Sequence, residues 1–211
     1  LHDVAGEKHD NITTPVEVFK KFCEDVSIAG YKLCSMKDYM SLSMSERNRY
    51  IVCTFDDGYI GLLYNALPIM NKYGYTATVF VCSEYMGKIN NWNCKDKVQR
   101  MHLSCDDLRT LQNNGWEIGS HGVTHRSVLR LNETEIEKEL SESKNILESI
   151  FGTIKSYAYP YGDYNYYIMK KVSNYYDYAF LLTQGGVFIS VDSFSIRRYY
   201  ISEIYKIINN K

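Results

Sequence analysis

No stretch of this sequence carries a block of one charge. Lys and Arg total 24 against 25 Asp and Glu, a formal net charge of −1, which argues against nucleic acid or an anionic membrane surface as the main partner. Long apolar runs are missing too. The longest, Ala77 to Cys82 and Ala179 to Leu182, are strand-length, whereas a membrane span needs about 20 apolar residues. There is no internal repeat, and 45% hydrophobic with 23% charged residues excludes disordered, collagen-like and coiled-coil chains. The six cysteines show no CxxC spacing. Cys53 and Cys82 lie inside apolar strand-like runs and read as buried thiols, which leaves a disulfide among the others open. No signal peptide is present, and Leu1 in place of Met leaves room for an upstream segment lost to processing.

At 211 residues the length favours one domain, residues 1–211, large enough to bury a real core. Strand and helix signals take turns along it. Thr14-Pro15-Val16-Glu17 places a capping hydroxyl, a Pro at the first helical position and a Glu three residues after the cap. It predicts a helix that buries Phe19, Phe22, Cys23 and Val26 and stops near Gly30. Strands are expected at Tyr31–Cys34, Tyr50–Phe55, Thr76–Cys82, Trp116–Gly119, Ser156–Tyr159, Ala179–Leu182 and Ser195–Ile201. Helices are expected at Ser35–Leu42, at Gly61–Tyr73 with an interruption at Pro68, from Ser104 to Gly115, and from Asn132 to Phe151. Ser83 to Leu103 has no clear period, and a loop that long is usually functional or disordered. Alternation of this kind is the pattern of parallel sheets and barrels, whose chemistry sits at the C-terminal strand ends.

Three of those ends hold polar groups. The strand at Ile51 empties into Asp56-Asp57-Gly58-Tyr59, the one at Trp116 into Ser120-His121-Gly122-Val123-Thr124-His125, and the one at Ser156 into Pro160-Tyr161-Gly162. Alone, Asp-Asp-Gly is most often a turn, a His-x-x-x-His pair is as often chance as metal, and Pro-Tyr-Gly is simply a turn. Together they are more specific. Adjacent carboxylates at the end of an apolar strand repel and resist burial unless a cation pairs them. Two imidazoles four residues apart, with one carboxylate, hold an ion while leaving positions for water and substrate.

Cys53-Thr54-Phe55-Asp56-Asp57-Gly58-Tyr59, Ser120 to His125, and Ala158-Tyr159-Pro160-Tyr161-Gly162 resemble the first three motifs of the polysaccharide deacetylases, the NodB-homology domain of carbohydrate esterase family 4. The N-terminal stretch up to Phe22 resembles the branch that deacetylates poly-N-acetylglucosamine. The resemblance implies an α/β fold, a distorted (β/α) barrel of seven strands, with the metal site at the C-terminal strand ends. It implies Asp57, His121 and His125 as metal ligands, Asp56 as general base, and the backbone N–H of Tyr161 as oxyanion donor, with Pro160 and Tyr161 facing substrate. One divalent ion is expected, zinc by preference, with cobalt, nickel or iron compatible with the same donors. The partner is then a glycan or N-acetylated sugar, and the expected location is the bacterial cell envelope or outside the cell. Trp92 in the long loop is either a sugar-stacking wall or packing for the loop itself. The 20 tyrosines fit a carbohydrate-facing surface and equally a Tyr-rich genome.

Two departures stand out. Many members carry an Arg in the third motif that tethers the base; here that position is Ala158, so the orientation of Asp56 has to come from elsewhere. Many also end with a Leu-x-His motif that supplies a general acid, and this chain has no His after His125. Of the remaining histidines, His9 and His102 read as solvated loop residues. His2 follows an apolar residue on the same rim as the metal site, and the poly-N-acetylglucosamine branch places its acid there. The leading expectation is an N-deacetylase. The alternatives are a glycan-binding pseudoenzyme, or an O-deacetylase, peptidoglycan deacetylase or chitin deacetylase.

Overall fold

The first helix, α1 (Val16–Ile28), turns Phe19, Phe22, Cys23 and Val26 inward, as the spacing predicts. The computed structural model describes residues 1–6, 10, 12–90, 99–182 and 192–209. Its N-cap is Pro15 and not Thr14, with no side-chain cap bond. The reason is tertiary: Thr13–Pro15 is extended as β2, paired in parallel with β1 (Asp3–Ala5). Gly30, at φ +79°, ends the helical segment in a conformation that glycine adopts without steric penalty.

β3 (Lys32–Cys34) pairs in parallel with β4 (Tyr50–Val52), and between them α2 (Met36–Ser41) is capped by the Ser35 side chain. The expected single strand Tyr50–Phe55 is broken at Cys53. Its N–H donates to Cys34 and its carbonyl accepts from Thr78, both at 2.9 Å, so the chain exchanges partners there. Beyond the break, β5 (Thr54–Phe55), β6 (Thr78–Val81), β7 (Glu117–Ser120), β8 (Ser156–Ala158) and β9 (Tyr178–Phe180) form one five-stranded parallel sheet in chain order. A wide π-helical turn (Leu62–Ala66) leads into α3 (Leu67–Asn71), which holds Pro68 in its first turn. The other connections carry α4 (Cys105–Asn113), α5 (Glu133–Phe151) and α6 (Tyr166–Val172). Capping boxes open both α4, at Ser104 and Asp107, and α5, at Asn132 and Glu135, each satisfying two otherwise orphaned amides.

The last predicted strand is not one. Ile196 makes a single parallel bridge to Phe180, and from Ile201 the chain is helical as α7 (Ile201–Asn209). On the opposite edge, the Asp56 amide donates to the Leu1 carbonyl at 2.8 Å. Among the described residues the main sheet is therefore five parallel strands with Leu1 against one edge and Ile196 against the other, where the resemblance implies a barrel of seven.

Side chains alternate across the sheet. Val79, Val81, Ile118 and Tyr157 join Phe19, Phe55 and Trp116 in the main core, where Phe55 stacks on Trp116 at 5.5 Å. Phe80, Ala158 and Phe180 face the other way and meet Met36 of α2. Gly119 makes room for this second cluster, since a Cβ there would lie 2.6 Å from the Phe80 ring. At the N-terminal strand ends the Glu117 carboxylate accepts from the Lys37 amide and the Thr78 and Ser156 hydroxyls. Polar groups are thus tied together at the bottom and brought to the C-terminal ends at the top. Cys23, Cys34, Cys53, Cys82 and Cys105 are free thiols; Cys94 lies outside the described residues. No helix among the described residues is long and apolar enough to cross a membrane.

Candidate active site

After β5 the chain turns through two consecutive left-handed residues, Asp57 at φ +68° and Gly58 at φ +69°. A Cβ on Gly58 would lie 2.7 Å from the Val81 side chain, so the position demands glycine on both counts. The turn is held from behind: the Asp57 carbonyl accepts from His102 Nδ1 at 2.7 Å, and the Gly58 carbonyl from the Leu103 amide at 2.8 Å. His102 is therefore buried, against the sequence expectation of a solvated loop residue, because the end of the long loop packs against this turn. The Arg100 guanidinium and the His102 ring lie against Tyr59.

The turn brings Asp57 to the two histidines. One ligand atom from each of Asp57, His121 and His125 lies within 4.8 Å of the others, and all three residues are buried. The Nε2 atoms of His125 and His121 stand 3.2 and 3.6 Å from Asp57 Oδ1, an oxygen with no hydrogen bond of ordinary geometry. His121 donates its Nδ1–H to the Ala158 carbonyl at 2.8 Å, which leaves the Nε2 lone pair directed at the cluster, the tautomer a metal ligand needs. A buried carboxylate oxygen facing two imidazoles fits a divalent cation. His125, at φ +59°, is one of three non-glycine residues with positive φ among the described residues. The others are Asp57 and Tyr161, and all three meet at this cluster, where sparsely populated backbone is characteristic of functional sites.

The cluster opens into a cavity of about 800 Å³ that is also lined by His2, Asp56, Tyr161 and Arg198. His2 Nε2 is 3.9 Å from Asp56 Oδ2. Tyr161, half exposed, sets its ring edge-to-face on His125 at 4.7 Å. Pro160 is buried and does not line the cavity. Trp92 and His9 lie outside the described residues. Burial pushes His121 down to about 4 and also lowers His2. Burial alone would raise both carboxylates, but Arg198 with His121 and His2 holds Asp56 below the usual carboxylate range. The close His125 imidazole, with those of His2 and His121, does the same for Asp57.

The sequence matches the polysaccharide deacetylase family over residues 44–180, more than half of the chain. The chain belongs to the polysaccharide deacetylase family. Among curated proteins it is similar to the putative polysaccharide deacetylase YxkH of Bacillus subtilis (strain 168), 23% identical over 160 residues, covering 74% of this chain and 53% of that protein. It is also similar to the poly-beta-1,6-N-acetyl-D-glucosamine N-deacetylase of Staphylococcus aureus (strain MSSA476), 26% identical over 189 residues, covering 82% and 62%. The chain thus spans between about half and three fifths of the length of these relatives. Among solved structures, the Streptococcus pyogenes deacetylase PplD in complex with acetate has a TM-score of 0.81 at 19% identity, covering 99% of this chain and 95% of that one, a likeness of fold.

For a polysaccharide deacetylase whose third motif carries Ala158 where many members have Arg, the partner of Asp56 is the informative residue. It is Arg198, which sequence reasoning missed. Nη1 and Nη2 reach Asp56 Oδ1 and Oδ2 at 2.5 and 2.7 Å, a two-pronged pairing that fixes the carboxylate plane. Its Nε donates to the Leu181 carbonyl at 2.8 Å, and the guanidinium rests over the Phe80 ring at 5.9 Å. The local signal was slight: an Arg-Arg pair inside the last expected strand, Ser195–Ile201.

Proposed function

We propose that this chain removes N-acetyl groups from N-acetylated sugar residues of a glycan by metal-assisted hydrolysis, residues 1–211 acting as one catalytic unit. The observation that carries the proposal is the convergence on one cavity of the Asp57–His121–His125 cluster, the Arg198-anchored Asp56 and His2. Asp57, His121 and His125 would hold one divalent ion, zinc by preference with cobalt, nickel or iron compatible. Such an ion supplies Lewis acidity that lowers the pKa of a water and polarises the acetamide carbonyl.

The chain's own groups divide the proton work. Asp56, kept ionised and oriented by Arg198, accepts the proton of the attacking water as its oxygen bonds to the carbonyl carbon. The Tyr161 N–H stabilises the negative oxygen that develops there. Pro160 has no N–H to offer, and its part is the left-handed turn that presents Tyr161. As the C–N bond breaks, His2 gives its proton to the departing nitrogen, and the products are acetate and the free amine.

The name of the Staphylococcus aureus relative favours a poly-N-acetylglucosamine polymer as substrate. The pseudoenzyme alternative rested partly on the missing third-motif Arg, and Arg198 occupies that role in space. The test is acetate release from N-acetylglucosamine oligomers, peptidoglycan, chitin oligomers and O-acetylated glycans, with and without added zinc. Metal-dependent release from the N-acetylglucosamine oligomers is expected. Release confined to O-acetylated glycans, or no release from any member, would overturn the proposal.

A further inference from the structure

α5 buries Ile136, Glu139, Leu140, Ser143, Leu147 and Phe151 along one face, and one member of that stripe is a carboxylate. Glu139 is 4% exposed, a placement a charged side chain does not adopt without partners. Its hydrogen-bond partners among the described residues all lie in the loop joining the two histidines. Oε2 accepts from the Val123 amide at 2.7 Å and the Thr124 amide at 3.0 Å, and Oε1 accepts from the Thr124 hydroxyl. Arg126 Nε, 3.9 Å from Oε1, is the nearby positive charge. Gly122, at φ +82°, admits the carboxylate, since a Cβ there would lie 2.9 Å from Oε2.

The backbone groups of this loop can be followed one by one. The Gly122 amide donates to the Ser120 hydroxyl. The carbonyls of Gly122 and Val123 accept from the amides of Ser83 and Glu84 at 3.1 Å each. The two amides that remain, Val123 and Thr124, point at Glu139. His121 is fixed independently, through its amide on Val81 and its ring on Ala158. His125 sits in no regular element and at positive φ, with its ring against Tyr161, and the three residues that join it to His121 are the ones packed on the Glu139 carboxylate.

We propose that Glu139 is a positioning residue for the metal site: its buried carboxylate, hydrogen-bonded into the 122–124 loop, sets the separation of the His121 and His125 imidazoles and through it the affinity for a divalent ion. The proposal rests on the reading of Asp57, His121 and His125 as metal ligands.

The experiment measures the zinc dissociation constant, the cobalt(II) absorption spectrum and the unfolding of the metal-free protein for the parent, Glu139→Ala, Glu139→Asp, Glu139→Gln and Glu117→Ala. Outer partners of metal ligands are typically worth 10- to 100-fold in affinity. Glu139→Ala is therefore expected to weaken zinc binding by about 10- to 100-fold and to alter the cobalt spectrum. Glu139→Gln should recover most of this, because the amide oxygen can accept both loop amides while its NH₂ donates to the Thr124 hydroxyl. Glu117→Ala, which removes a hydrogen-bonded carboxylate from the far end of the sheet, should lose stability with the parent's zinc affinity. If Glu139→Ala does not fold, Glu139→Asp decides, since it keeps the charge and withdraws it from the loop. A folded Glu139→Asp or Glu139→Ala with the parent's zinc affinity and cobalt spectrum overturns the proposal. So does an equal loss of zinc affinity in Glu117→Ala. A parent that binds neither ion overturns the metal reading itself.

Discussion

Replacing Arg198 with Met removes the positive partner of Asp56 while keeping an unbranched chain of similar reach. Asp56 is 3% exposed and loses two charge-assisted hydrogen bonds of 2.5 and 2.7 Å. Removing one partner of a buried pair costs about 3–5 kcal/mol. The carboxylate can escape part of that cost by taking up a proton, and this sets a ceiling. In the parent Arg198 keeps Asp56 below its ordinary pKa, so Asp56 contributes stability above the unfolded value near 3.9 that is lost as pH falls through the folded value. In the variant burial dominates and the folded pKa rises. The native variant then binds a proton that its unfolded chain releases above pH ~3.9, at about 1.36 kcal/mol per pH unit. The deficit against the parent, which includes the loss of the parent's own Asp56 contribution, is thereby expected to grow by about 2.7 kcal/mol between pH 5 and pH 7. Loss of the Leu181 and Phe80 contacts adds a part that does not vary with pH, so the slope isolates the pairing with Asp56. Urea unfolding of metal-free parent and variant at pH 5, 6 and 7 measures it, alongside acetate release, where a misoriented base should lower turnover by about 10²-fold. A deficit that is flat across this pH range, or parent-like turnover in Arg198→Met, would refute the reasoning.

Asp56→Asn should lower turnover by about 10²-fold or more with zinc binding nearly intact, whereas His121→Ala should lose zinc; equilibrium dialysis against zinc separates the two, and loss of metal in Asp56→Asn would make Asp56 a ligand instead. His2→Ala should depress amide turnover and remove the alkaline limb of its pH profile while sparing an activated ester, whose leaving group needs no proton; equal effects on both substrates would rule out His2 as the acid. The metal-free protein should be acid-sensitive. His121 is held near 4 by burial, so between pH ~6.5 and 4 the unfolded chain binds the extra proton and stability falls with falling pH, by about 3 kcal/mol from this group. Denaturant titrations across that range check it, and His121→Asn should remove that share of the slope.

What the sequence alone determined is what acts within about one helical turn. The inward stripe of α1, the helix starts near Ser35, Ser104 and Asn132 and the stop near Gly30 each depend on near neighbours, and all were legible; the Thr14 cap was not borne out, because Thr13–Pro15 pairs with β1. The three polar strand ends were legible too, because apolar strands discharge their polar residues at their ends, and parallel order brings those ends to one rim. Residues whose role depends on a distant neighbour were not. Arg198 pairs with Asp56 across 142 positions, so nothing local marks it. Cys53 breaks a strand that reads as continuous because its two partners, Cys34 and Thr78, belong to different sheets. His102 looks like a solvated loop residue until the turn at Asp57 packs against it. Glu139 reads as one more charge on a helix until the histidine loop closes over it. Local propensity and capping depend on near neighbours along the chain, whereas the partner of a buried charge is chosen by which chain segments the folded sheet brings side by side, and only tertiary packing decides that.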